Sequence, residues 1–132
     1  MRVLAIDTAT TALVTGVVDT ATGQTNQRVL EDTRAHNELA IPTITDVLAE
    51  AGLAYGDLDA VVTGVGPGPF TGLRVGMATA SALADALSIP LHGVCTHDAI
   101  ALAAGLDAHP ADADGKATAL VATDARRKEI YW

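Results

Sequence analysis

A glycine-rich segment, Gly64-Val-Gly-Pro-Gly-Pro-Phe-Thr71, comes nearest in this sequence to a ligand-binding motif. It follows an apolar strand-like run and precedes a helical pattern, and the first amides of a helix favour anions such as phosphate. A P-loop also requires Lys followed by Ser or Thr, which this segment lacks, and its two prolines provide no amide donors. We therefore predict a rigid loop that does not bind phosphate, with Thr71 as the cap of the following helix.

Side chains that could act as nucleophiles are few and isolated. Ser81, Ser88 and Cys95 would each need a neighbouring histidine paired with a carboxylate, and the spacing supports no such pairing. His97-Asp98 lies close to Cys95, but a buried cysteine before a helix start explains that pattern better. We predict no catalytic residue in this chain.

Metal ligands show a similar lack of pattern. The histidines His92, His97 and His109 have no ligand-like spacing to a cysteine or a carboxylate. We therefore predict neither a metal ion nor a cofactor.

Composition limits the size, the partners and the compartment of the protein. With 132 residues, 49% of them hydrophobic, the chain can bury one core and is near the size of one domain. Sixteen acidic and eight basic residues give a formal charge of -8, which repels nucleic acid, so RNA binding by the chain alone is not expected. One cysteine allows no internal disulfide, and no apolar stretch suits a signal peptide or a membrane span. These features predict a cytoplasmic protein.

Short apolar runs and polar turns alternate in the first part of the chain. Val3 to Ile6 is typical of a strand buried on both faces, and a polar turn from Asp7 to Thr11 follows it. Residues 13–18 and 24–30 are rich in β-branched side chains and flank a turn that ends at Gly23. A three-stranded meander is predicted.

Two long helices are predicted next. In residues 34–51 the apolar positions have helical spacing, Gly52 is a plausible stop, and Pro42 should bend the helix unless the true start is later. The second helix covers residues 71–87. Shorter elements surround it: strands at 60–64 and 91–95, a helix at 96–106, and a linker at 107–117.

The last segment of the chain resembles its beginning. Leu120-Val-Ala-Thr-Asp124 repeats the pattern of Leu4-Ala-Ile-Asp7, and a strand-like Glu129-Ile-Tyr-Trp132 follows. A second copy of the first unit would begin in this way, although a match of four residues also arises by chance. Both explanations stay open at this stage.

Three stretches together resemble the TsaB family: Leu4 to Thr10, Gly64 to Gly76, and Asp124 to Tyr131. The resemblance implies an α/β protein of the actin-like ATPase (ribonuclease H-like) superfold, with a mixed sheet, flanking helices and two related halves. Residues 1–106 would form the first subdomain, and residues 118–132 would begin the second.

The family resemblance also implies a function in transfer RNA modification. Members act as non-catalytic partners of a TsaD-type paralogue, which transfers threonylcarbamoyl to adenosine beside the anticodon. A TsaE-type P-loop ATPase completes the complex, tRNA is met only through the complex, and a homodimer forms when the protein is alone. The main alternative is a fragment of an actin-like kinase or nucleotide hydrolase.

Two positions in the resemblance bear on catalysis. Active kinases of this superfold place a phosphate-binding hairpin where this chain has Asp7, Thr8, Thr10 and Thr11, but Ala9 replaces a glycine that lets the backbone approach phosphate. Catalytic paralogues carry two metal-binding histidines four residues apart, where this chain has His36 and Ala40. We therefore expect a vestigial phosphate loop and no metal site.

A stripe of small residues spaced by four marks the second helix: Gly72, Gly76, Ala80 and Ala84. Glycine inside a helix costs about 1 kcal/mol relative to alanine, so close approach of another element is indicated. Packing on the chain's own sheet is one explanation. The family resemblance favours the other, in which both long helices pair with a second subunit, through the stripe and through larger residues: Leu73, Met77, Leu87, Leu39, Ile44 and Val47.

Overall fold

The protein is an α/β structure with its helices packed against a mixed sheet. The structure is a computed structural model that describes residues 1–31, 33, 35–105, 120–126 and 128–132. A short 3-10 turn at Tyr55–Asp57 was not expected from the sequence. The strands and helices are β1 (Arg2–Asp7), β2 (Leu13–Asp19), β3 (Thr25–Leu30), α1 (His36–Glu50), β4 (Ala60–Gly64), α2 (Phe70–Leu87), β5 (Leu91–Val94), α3 (Thr96–Ala103), β6 (Thr123–Arg126) and β7 (Glu129–Tyr131).

Five strands form the main sheet in the order β3-β2-β1-β4-β5. The first three pair antiparallel, which confirms the predicted meander, whereas β4 and β5 run parallel to β1. The register places Leu4 of β1 opposite Val17 of β2 and opposite Val61 of β4. These three apolar side chains therefore form one row across the centre of the sheet.

Helices α1 and α2 cover one face of this sheet and form the core with it. Ile44 and Val47 of α1 and Ala80 of α2 are each 0% exposed. They belong to one apolar cluster with the central strands, whose other members are Leu4, Ile6, Val17, Leu48, Leu58, Val61 and Ala84. Apolar positions with helical spacing thus face apolar positions that alternate along the strands.

The opposite face of the sheet is open among the described residues. The expectation that β1 is buried on both faces is wrong, because Leu4 and Ile6 are buried whereas Ala5 between them is exposed. An apolar hollow of ≈ 310 Å³ lies on this face, bordered by Val62 and by Ala99 of α3.

The ends of the two long helices agree only in part with the ends predicted from the sequence. Gly52, with φ +68, follows α1 as expected, and Pro42 lies inside the helix. The cap predicted at Thr71 is wrong, because α2 already begins at Phe70 and Pro69 precedes it without a side-chain capping bond. Within the described part of the chain, no helix has the length and apolarity required to cross a lipid bilayer.

A separate hairpin of β6 and β7 ends the chain. The strand predicted to begin at Leu120 begins instead at Thr123, and Asp124 pairs with Ile130. Leu120 is 73% exposed, so the apolar start of that segment does not pack as a buried strand would. The predicted linker, residues 107–117, lies outside the described residues, and the start of a second subdomain stays a prediction.

Candidate functional site

The polar turn after β1 lies where the sequence places the vestigial phosphate loop. Thr8 is only 1% exposed, and its hydroxyl accepts a hydrogen bond from the Gly76 amide at 2.9 Å. The same hydroxyl donates to the carbonyl oxygen of Gly72 at 2.7 Å. The hydroxyl therefore both donates a hydrogen bond to helix α2 and accepts one from it.

The carboxylate of Asp7 is also engaged within the chain. Its Oδ1 accepts a bond from the Ala9 amide at 2.7 Å, and its Oδ2 accepts one from the Thr96 hydroxyl at 2.7 Å. The first bond is a local Asx-type contact that shapes the turn. The second ties the end of β1 to the start of α3.

The glycine-rich loop packs directly against this turn. A Cβ atom on Gly68 would overlap the carbonyl group of Ala9, and one on Gly64 would overlap the Asp7 carboxylate. Glycine is required at position 68 because the backbone of Ala9 occupies the place of a side chain, whereas a Cβ at position 64 would displace the Asp7 carboxylate. The expected rigid loop thus lies on top of the turn, and Ala9 beneath it is 1% exposed.

The other two threonines of the turn hold its backbone. Thr10 Oγ1 accepts a bond from the Ala12 amide at 3.2 Å, and the Thr11 carbonyl accepts one from the Thr33 amide at 3.1 Å. With Asp7, Thr8 and the Ala9 amide also engaged, hydrogen bonds within the chain hold the turn in place. A nucleotide phosphate at this place would have to break bonds that support the fold.

His36 is the first residue of α1, and its environment tests the metal hypothesis. Its Nε2 atom is buried and has no hydrogen-bond partner. The nearby position 40 is Ala, 1% exposed, and the described residues contain no group of three or more His, Cys, Asp or Glu that could hold an ion. One imidazole does not satisfy the ligand requirement of a protein metal site, so the described residues around His36 do not fit a bound metal.

Half of the predicted interface residues lie inside the chain's own core, and a partner contact through them stays a prediction. Gly76 is buried against Thr8, and the remaining four pack against the sheet and each other because the helices turn their small and apolar stripe inward. These five residues are Gly76, Ala80, Ala84, Ile44 and Val47.

The other predicted interface residues are less enclosed. Met77 is 40% exposed, whereas the remaining four are half-buried: Gly72, Leu73, Leu87 and Leu39. We define the outer α1–α2 surface by an open groove of ≈ 390 Å³ that runs between the two helices. Its lining residues are Ile41, Ala78, Thr79, Ala82 and Leu83.

Sequence reasoning missed this groove and one further surface feature. Ile41 is 45% exposed although it is apolar, and it was not singled out because it stands outside the periodic face of α1. Phe70 is 66% exposed, with the Arg74 guanidinium 3.8 Å from its ring centroid. The four-residue spacing of Phe and Arg was the available signal for this cation–π pair.

Comparison with known proteins gives a consistent result. A family model described as "TsaD: tRNA N6-adenosine threonylcarbamoyltransferase" matches residues 28–132. An uncharacterized protein of Mycobacterium tuberculosis (strain ATCC 25618 / H37Rv) is 49% identical over 98% of this chain and 57% of its own length. The Escherichia coli (strain K12) "tRNA threonylcarbamoyladenosine biosynthesis protein TsaB" is 35% identical over 100% of this chain and 54% of its own length.

A solved structure extends the match to three dimensions. YeaZ from Pseudomonas aeruginosa superimposes with a TM-score of 0.84 at 32% identity, covering 99% of this chain and 58% of that one. The chain thus spans about half the length of the relatives in these comparisons. The mixed sheet with flanking helices is that of the actin-like, ribonuclease H-like superfold, as expected. The chain belongs to the family described by the TsaD model, and within that family it is of the TsaB (YeaZ) type.

Proposed function

We propose that the chain belongs to a non-catalytic scaffold or activator subunit in the synthesis of threonylcarbamoyladenosine in tRNA. It acts by forming a dimer with a TsaD-type catalytic relative. The observation that carries the proposal is the similarity along the whole chain to the E. coli protein whose name states this biosynthesis. The family model, named for the transferase itself, supports a shared ancestry of the two subunits.

The hydrogen bonding of the turn at Asp7 favours a role without catalysis. Asp7, Thr8 and the Ala9 amide are engaged inside the chain, and the loop at Gly68 occupies the space above them. A kinase or nucleotide hydrolase requires these groups to turn toward phosphate and magnesium. The alternative of a phosphate-transferring enzyme would need this network to open before each reaction cycle.

The outer α1–α2 surface is the proposed contact with the catalytic relative. Ile41, exposed although apolar, lines a groove between the two helices, a geometry suited to packing against a helix of another subunit, and Met77 adds an exposed apolar side chain elsewhere on α2. The same surface would serve a homodimer when the catalytic relative is absent. An excess of eight negative charges keeps tRNA away from this chain, so tRNA is met through the complex.

The remaining partners follow from the same assignment. A TsaE-type P-loop ATPase supplies nucleotide hydrolysis to the complex, and the reaction places all components in the cytoplasm. No cofactor is assigned to this chain.

The test is a binding experiment with a matched pair of exposed alanines. Ala82→Glu places a charge in the groove, whereas Ala49→Glu places the same charge at an exposed site near the end of α1, away from the groove. Capture of the TsaD-type relative should fall roughly tenfold or more for Ala82→Glu and stay unchanged for Ala49→Glu. Equal capture by both variants would move the interface elsewhere.

The enzymatic alternative has its own measurement. ATP turnover by the chain, or by its full-length parent, is measured alone and with the relative present. The scaffold proposal requires no turnover by this subunit alone. Turnover that disappears in Asp7→Ala, with the fold retained by circular dichroism, would establish the kinase or hydrolase alternative.

A further inference from the structure

Helix α2 shares one of its internal hydrogen-bond positions with another part of the chain. In a regular α-helix, the amide of residue 76 donates to the carbonyl oxygen of residue 72. The Thr8 hydroxyl bonds to both of these groups, accepting from Gly76 at 2.9 Å and donating to Gly72 at 2.7 Å. A side chain from the turn after β1 is therefore part of the hydrogen bonding of α2.

Two glycines make this arrangement possible. A Cβ atom on Gly76 would overlap Thr8 Oγ1, and one on Gly72 would lie 2.8 Å from the Thr8 carbonyl oxygen. Glycine weakens a helix, so two glycines one turn apart need a compensating reason. The reason in this chain is the approach of its own β1–β2 turn.

The shared position lies beneath an exposed apolar part of α2. Phe70, 66% exposed, begins the helix two residues before Gly72, and Met77, 40% exposed, follows Gly76. A buried side chain that bonds to two backbone groups of a helix restrains the helix at that point. The Thr8 hydroxyl thus acts on the helical turns that carry Phe70 and Met77.

We propose that Thr8 is a positioning residue for partner recognition. Its hydroxyl fixes the first two turns of α2 in the direction that presents Phe70 and Met77 to the partner subunit. Without the hydroxyl, the Gly76 amide and the Gly72 carbonyl lose their bonds to the turn after β1, so this restraint on the first turns of α2 is absent. The identity of the partner in this inference rests on the proposed function. The bonding of Thr8 to α2 is independent of that function.

The experiment compares three variants of the chain. Thr8→Val keeps the shape and removes the hydroxyl, Thr8→Ser keeps the hydroxyl, and Thr15→Val is the matched control. Thr15 is also 1% exposed, and its hydroxyl donates to Ala5 at 3.0 Å, within the sheet. Binding of the TsaD-type relative and hydrogen exchange at the Gly76 amide are measured for each variant.

The expected result is specific to the hydroxyl of Thr8. Thr8→Val should weaken partner binding about tenfold and change Gly76 exchange about tenfold, while Thr8→Ser and Thr15→Val bind as the original chain does. Should Thr8→Val fail to fold, Thr8→Cys replaces it, since a thiol is a poor hydrogen-bond partner.

Two outcomes overturn the inference while leaving the proposed function intact. In one, the original chain binds the relative and Thr8→Val binds it equally well. In the other, Thr15→Val weakens binding as much as Thr8→Val, which would reflect stability alone. If the original chain does not bind the relative, the result counts against the proposed function instead. In that case, an unchanged Gly76 exchange rate in Thr8→Val would still refute the role of the hydroxyl.

Discussion

The hydroxyl of Thr96 donates a 2.7 Å hydrogen bond to Oδ2 of Asp7, across 89 residues of sequence. Asp7 is the last residue of β1 and Thr96 is the first of α3, so the bond connects the central strand to the helix after β5. The backbone amide of Ala9 donates a hydrogen bond to the other carboxylate oxygen of Asp7. The carboxylate therefore acts as an acceptor that holds three segments together.

Asp7→Ala should destabilise the fold by about 1–3 kcal/mol, because the Thr96 hydroxyl and the Ala9 amide lose their acceptor in a partly buried place. Chemical denaturation measures the change. Asp46→Ala is the control, since that carboxylate is exposed and pairs with Arg28 at the surface, where ion pairs contribute little. Equal losses in both variants would show that the Asp7 network has no special structural role.

Gly68→Ala should prevent folding or lower the free energy of unfolding by more than about 3 kcal/mol. The added methyl group would overlap the Ala9 carbonyl, a backbone group that a rotamer change cannot move. Gly56→Ala should change stability by less than about 0.5 kcal/mol, because a Cβ at that position meets nothing within 4 Å. Thermal unfolding followed by circular dichroism distinguishes the two, and a stable Gly68→Ala variant would contradict the packing of loop on turn.

Ala80→Leu should destabilise the chain by about 1–3 kcal/mol, whereas Ala82→Leu should leave stability nearly unchanged. Ala80 is 0% exposed in the core, and Ala82 lies two residues further on, at the outer groove. Denaturant midpoints of the two variants give the comparison. The reverse order would mean that the stripe of small residues faces outward, as the family resemblance first implied.

His97→Phe should loosen the terminal hairpin. His97 is 8% exposed, and its Nε2 atom lies 2.9 Å from Thr123 Oγ1 at the start of β6. Phenylalanine keeps the ring volume but cannot form this bond. Amide exchange at residues 123–126 should accelerate several-fold, while exchange in β1 stays constant. His92→Phe, at an exposed site on β5, is the control and should leave the hairpin unaffected.

The chain alone should bind tRNA more weakly than about 0.1 mM at physiological salt. Its formal charge of -8 opposes the counterion release that drives such binding. Fluorescence anisotropy with labelled tRNA measures the affinity, and a strongly basic protein of similar size serves as the positive control. Micromolar, salt-sensitive binding would overturn this expectation and the proposal that tRNA is met only through the complex.

The order and type of the main elements were accessible from sequence, because they depend on local patterns. Alternating β-branched residues predicted the meander, helical spacing of Ile44 and Val47 predicted α1, and Gly52 marked its end. The β6 strand was misplaced because Leu120 and Val121 are apolar without being part of a buried strand. Short apolar runs of this kind do not determine their own burial.

The sequence by itself determined that small residues recur every fourth position on α2, and only the tertiary structure decided what they contact. A glycine and alanine stripe admits a foreign helix or the chain's own segments equally well, since both require only the absence of side chains. Thr8 and Gly76 are 68 residues apart, and no local pattern connects them. The fold brings them together because β1 ends beneath α2, which gives the hydroxyl of Thr8 the space that two glycines leave open.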